Sequence, residues 1–193
     1  MLFRSGPLAL LVGPLLIPAL VAAPVGEQFE QRTVVYWFTR PFPRGLVLLG
    51  DALGYGVLSA AALALAGMLL AGAHALLGVS DLAGLVCPPL ALALQGLALV
   101  SLSVASGALV PRHPVVAAFA ALLFTEGAAL LKPALAYASP SFHASALAHM
   151  PYIFSESAAT VSPAPLVSVA VLLGYAAIPL VIAAQTVEAR DLL

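Results

Sequence analysis

The chain has 193 residues, of which 63% are hydrophobic and only 8% charged, with a formal net charge of −1 and a mean hydropathy of +1.11. Such a composition excludes an ordinary soluble domain, and a near-neutral chain without a recognisable nucleic-acid module excludes nucleic acid as a partner. Its single cysteine, Cys87, excludes an internal disulfide.

Apolar segments of about 20 residues, the length a helix needs to cross roughly 30 Å of hydrocarbon, recur between short polar breaks. The expected fold is therefore all-α: a polytopic transmembrane helical bundle forming one domain over residues 1–193. Its first span is expected at about 7–24, interrupted by Gly13, Pro14 and Pro18. A secretory signal peptide competes for this run, because Arg4 precedes it and Val21-Ala22-Ala23 resembles a cleavage site. Pro24 after that site and the two internal prolines favour the span. Leu2-Phe3-Arg4-Ser5 is what the end of a common sequencing adapter encodes, which gives the expectation that the natural N-terminus is missing.

Residues 27–44, EQFEQRTVVYWFTRPFPR, form the one stretch where charge is dense, with two of the eight acidic and three of the seven basic residues. Glu27 and Glu30 lead it, followed by Arg32-Thr33, a bulky apolar patch containing Tyr36, Trp37 and Phe38, then Arg40-Pro41 and Pro43-Arg44. Thr33 can cap a short helix, and Pro41 and Pro43 end it, because proline lacks an amide proton and disfavours helical geometry in the residue before it. The stretch reads as a short amphipathic helix across the ends of two spans.

Residues 44–51 read as an interfacial elbow, and a second span is expected at about 52–77. Gly50 and Gly54 form a small-x-x-x-small pair that either receives another helix or only eases a bend. A polar turn with Ser80-Asp81 precedes a third span at about 85–110, its entry broken by Pro88-Pro89. Residues 111–114, PRHP, make the next turn. A fourth span follows at about 115–136, then an external segment at 137–165, a last span at about 166–184 and a polar tail.

Five spans and the bias of basic residues set the orientation. If the charged stretch faces the cytoplasm, Arg32, Arg40, Arg44, Arg112 and Arg190 lie inside, against Arg4 and Lys132 outside, and the C-terminus is cytoplasmic.

The run from Glu27 to Asp51 resembles the loop after the second span of type-2 ABC transporter permeases, in which a threonine is followed by proline eight residues on and arginine three further. Thr33, Pro41 and Arg44 fall at those spacings, and Glu188-Ala189-Arg190-Asp191-Leu192 is similar to the arginine-containing Asp-Leu tail that closes many of these permeases. Asp51 departs from the pattern by standing where the family usually has lysine. Such permeases usually have six spans, so the resemblance implies that an N-terminal helix and the first span are absent here. It further implies an exporter's permease subunit in a cytoplasmic (inner) membrane, bacterial or archaeal. Its partners would be membrane lipid, a second permease subunit in a homo- or heterodimer, and separate ATPase subunits that use ATP and Mg; the chain itself would bind no cofactor.

In such a complex Glu27, Glu30, Arg32, Thr33, Tyr36, Trp37, Phe38, Arg40, Pro41 and Arg44 would form the ATPase-coupling segment. Its aromatics offer contact area and its arginines directional ion pairs. The blander reading is an interfacial helix whose Tyr36 and Trp37 anchor at headgroup depth, and both can hold at once.

Glu126 falls near the middle of the fourth span, where a carboxylate is costly and should face the bundle interior, protonated or paired. Lys132, six positions on, lies on another face and is expected to snorkel outward. Glu126 is a candidate for a substrate path. Gln95, in the third span, is another, although an interhelical hydrogen bond is its more ordinary role. His143, His149 and Met150 invite a metal hypothesis that their spacing opposes. Phe142, Tyr152 and Phe154 are expected to anchor short helices dipping into the outer leaflet. Ser59, Ser101 and Ser103 are expected to return their hydroxyl bonds to the preceding helical turn. There is no phosphate loop, H-E-x-x-H or G-x-S-x-G motif, so the chain is not expected to be an enzyme by itself. A small intramembrane enzyme, or a membrane anchor or assembly protein without an ATPase, is the competing class.

Overall fold

The computed structural model describes residues 6–30, 44–76, 78, 82–131, 133–150 and 163–189, all of them in helices, turns or short connections. The described helices are α1 (Gly6–Glu30), α2 (Arg44–Leu76), α3 (Leu82–Leu109), α4 (Pro114–Leu131), α5 (Pro140–Leu147) and α6 (Pro165–Ala189). A 3-10 turn, Pro133–Ala138, joins α4 to α5. No strand is present among the described residues.

Among the described residues, three helices are long and apolar enough to cross a membrane: Gly45–Leu76, Leu82–Leu109 and Pro165–Ala189, with Pro114–Gly127 a shorter apolar helix. Their outward side chains fit that environment. Leu69 is 69% exposed, Phe124 80% and Leu166 84%, a surface that water would penalise and lipid would not. The core is carried by α3, where Leu92, Leu99, Val100 and Val104 are fully buried and pack with Val21 and Val25 of α1, Leu48 and Leu63 of α2 and Ala183 of α6.

Backbone approach fixes the directions of these helices. A Cβ on Gly67 would lie 2.5 Å from Pro89 Cα, so α2 and α3 touch main chain to main chain there. Further along, Gly96 faces the Ser59 carbonyl, which makes the pair antiparallel. At the other end, Gly26 of α1 abuts Pro111 and Pro114, and Gly45 of α2 abuts Ala184 and Glu188 of α6. The end of α1, the start of α2, the α3–α4 turn and the end of α6 therefore share one end of the bundle.

Several boundaries depart from expectation at prolines, while Pro41 and Pro43, expected to end the short helix, lie outside the described residues. α1 runs on through Pro24 to Glu30, so Glu27 and Glu30 lie on its last turns. α2 is continuous from Arg44, with no break at the expected elbow; its 33 residues make a rod about 50 Å long. α3 passes through Pro88 and Pro89. A proline removes one main-chain bond, and packing of neighbouring helices offsets that loss. At Pro133 the departure is the reverse: the span expected to run on to 136 stops at Leu131, and the 3-10 turn begins.

Candidate functional site

The described residues place one dense polar cluster inside the bundle, at the beginning of α5. Ser139 is the N-cap of this helix: its backbone is extended and its Oγ accepts from the Phe142 amide at 3.0 Å. Pro140 follows at the first helical position, where a missing N–H costs nothing. The other end closes with the Met150 amide donating to the Ser145 carbonyl at 2.9 Å and the His149 amide to the Ala146 carbonyl at 3.3 Å. His149 takes the left-handed conformation, φ 55°, at the position glycine usually fills in this motif. An eight-residue helix too short to persist alone is thus satisfied at both ends.

Side chains from three neighbouring helices converge on it. Glu126 of α4, only 5% exposed, accepts the Ser139 hydroxyl proton at Oε2 (2.5 Å) and the Ser141 amide proton at Oε1 (3.1 Å). From α3, Gln95 Nε2 donates to Ser141 Oγ at 2.9 Å. From α6, the Tyr175 hydroxyl donates to the Ala138 carbonyl at 2.5 Å. On the same helix, Ser168 Oγ lies 3.1 Å from His143 Nδ1, whose Nε2 is 2.9 Å from the Tyr137 carbonyl. That carbonyl only accepts, so Nε2 carries the proton and Nδ1 accepts from Ser168. Burial pushes the His143 pKa below its ordinary value, and the Tyr137 carbonyl, which favours a charged ring, opposes this more weakly.

Glu126 faces the interior and is paired through hydrogen bonds, as its cost in an apolar helix requires, and Gln95 makes an interhelical bond. The two residues come together at opposite sides of Ser141. Lys132 lies outside the described residues. Phe142 is not a lipid anchor: it is 3% exposed, with its ring 5.4 Å from Tyr137 and 5.6 Å from His143, edge to face. Tyr152 and Phe154 lie outside the described residues. Both ring nitrogens of His143 are committed within the protein, and no group of three or more metal-binding side chains occurs among the described residues.

Of the coupling segment, Glu27 and Glu30 are exposed at the end of α1 and Arg44 opens α2. Arg32, Thr33, Tyr36, Trp37, Phe38, Arg40 and Pro41 lie outside the described residues. Asp51 sits in the second turn of α2, half-buried, with Oδ2 unpartnered among the described residues. Ser103 returns its hydroxyl to the Leu99 carbonyl at 2.6 Å as expected, whereas Ser101, equally buried, has no partner there. Ser139, Ser141, Ser168 and Tyr175 were not singled out from the sequence. The only signal for them was Ser139-Pro140, a cap followed by an N1 proline.

No protein-family model, no curated protein and no solved structure matches the chain.

Proposed function

We propose that this chain is the membrane-spanning permease subunit of an ATP-driven exporter resembling the type-2 ABC class, with five spans and a cytoplasmic C-terminus in a bacterial or archaeal inner membrane. The observation that carries the reading is the spacing of Thr33, Pro41 and Arg44 within the charge-dense stretch between two long apolar helices. Support comes from the attachment of that stretch. It joins α1 to α2 at the end of the bundle where Gly26 meets the α3–α4 turn and Gly45 meets α6. A push delivered there reaches five helix ends, through Gly26 against the Pro114 ring and the Pro111 carbonyl and through Gly45 against the Ala184 and Glu188 side chains.

In this reading the chain hydrolyses nothing. Two partner ATPases bind ATP and Mg and close on each other. The Thr33–Arg40 segment docks on one of them, and its displacement tilts α1 and α2 and changes which side of the membrane a two-permease cavity faces.

The test is purification of the full chain in mild detergent, with the co-purifying proteins identified by mass spectrometry. A phosphate-loop ATPase recovered with the intact 27–44 stretch and lost with Arg40→Glu is expected. Thr33→Pro, which disrupts the cap, should leave the protein in the membrane while uncoupling ATP hydrolysis from transport. A folded protein that recovers no ATPase in any form would return the chain to the anchor or intramembrane-enzyme class.

A further inference from the structure

We propose that the cleft between the start of α2 and the end of α6 holds a membrane phospholipid whose headgroup carries a primary ammonium, with an acyl chain between the two helices and the ammonium on Glu188. The proposal goes beyond the exporter reading and stands without it.

The cleft has a volume of about 370 Å³. Its walls include Leu46 and Leu49 of α2 and Leu180, Val181 and Ala184 of α6, and Glu188 carries the one polar side chain among the described lining residues. Leu46, Leu49 and Val181 are exposed, so these walls would be costly to wet. Gly45 is the second residue of α2 and Glu188 the last but one of α6, which puts the carboxylate at the helix ends, at headgroup depth. From there the cleft extends back along α6 to Leu180, about 12 Å at the helical rise. Hydrocarbon surrounds that depth, and an acyl chain fills the space without exposing the walls to water.

Charge selects the headgroup. The Glu188 carboxylate leans across the rim toward the first turn of α2, because a Cβ on Gly45 would lie only 3.1 Å from Oε1. No hydrogen bond or ion pair engages it among the described residues. An anionic headgroup would meet a like charge there. A quaternary ammonium is attracted but has no N–H, whereas a primary ammonium brings three donors and makes short, charge-assisted bonds to a carboxylate.

The experiment is native mass spectrometry of the full chain released from nanodiscs containing equal parts phosphatidylethanolamine, phosphatidylcholine and phosphatidylglycerol with identical acyl chains. Wild type should retain phosphatidylethanolamine over phosphatidylcholine by about tenfold. Glu188→Gln should lose that preference and keep its total of bound lipid, and Val181→Trp, whose ring fills the cleft, should lower the total. Equal retention by wild type would overturn the proposal without recourse to any variant. So would an unchanged preference in Glu188→Gln, or a preference that appears only in Arg44→Gln, which would assign Glu188 to an ion pair within the protein. A lower thermal midpoint in Glu188→Gln with the same lipid preference would confine the carboxylate to the helix ends. A dimer that retains no lipid would give the cleft to a second copy of the chain, which also overturns the proposal.

Discussion

The Ser101 hydroxyl is buried in α3 with no partner among the described residues, while Ser103, two positions on, bonds the carbonyl four residues back. A buried donor left unbonded costs about 1–3 kcal/mol, so Ser101→Ala is expected to raise the thermal midpoint of the protein in detergent. A fall instead would mean that the hydroxyl serves a group outside the described residues. His149 gives a second single-residue case. Its left-handed φ strains a residue with a Cβ, and His149→Gly should stabilise α5 by about 1 kcal/mol, visible as slower exchange of the Met150 amide. Glycines divide the same way. At Gly67 a methyl would press on the Pro89 backbone, so Gly67→Ala should lower the midpoint by separating α2 from α3. At Gly54 nothing lies within 4 Å, and Gly54→Ala should hold or raise it through helix propensity alone. If Gly54→Ala destabilises, a second chain packs on that face.

Among the elements, α5 concentrates both the polar chemistry and the sensitivity to pH. His143 is held neutral by burial, and its folded pKa lies below the ordinary 6.5. A group depressed in this way contributes stability that is complete above the ordinary value and is lost as pH falls through the folded one. Wild type should therefore lose more thermal stability than His143→Gln between pH 7 and pH 5, and equal losses would show that the ring does not titrate there. The long helices were legible in the sequence, because apolar runs of spanning length need no tertiary information. Their ends were less so: whether Pro24 or Pro88-Pro89 breaks a helix depends on neighbours that offset a lost bond, and spacing does not reveal neighbours. The same limit hid the site. Glu126 declared itself by its cost, and Gln95 by its polarity in an apolar run. Ser141, Ser168 and Tyr175 are ordinary residues, and they matter only because the chain turns back at Pro133 and lays α5 against three helices. Phe142 was misplaced for that reason, since an aromatic beside short polar segments reads as a lipid anchor until the fold closes over it.

At the scale of the whole molecule, helix direction and charge can be tested against each other. α2 and α3 are antiparallel, and the close approaches at Gly26 and Gly45 gather Glu30, Arg44, Arg112 and Glu188 at one end of the bundle. The other end carries the α2–α3 connection around Gly78. Basic residues concentrate on the cytoplasmic side of membrane proteins, so the end with Arg44 and Arg112 should face inward. His113 and Ala75 are exposed near opposite ends, and neither supports a buried contact. With Cys87→Ser as background, His113→Cys should react with a membrane-impermeant maleimide only after cells are opened, and Ala75→Cys should react in intact cells. The reverse pattern would invert the orientation and place the 27–44 stretch on the side without ATP, which ends the coupling role. Reaction of both from one side would show that α2 and α3 do not each cross the membrane, and the transporter reading would fall with them.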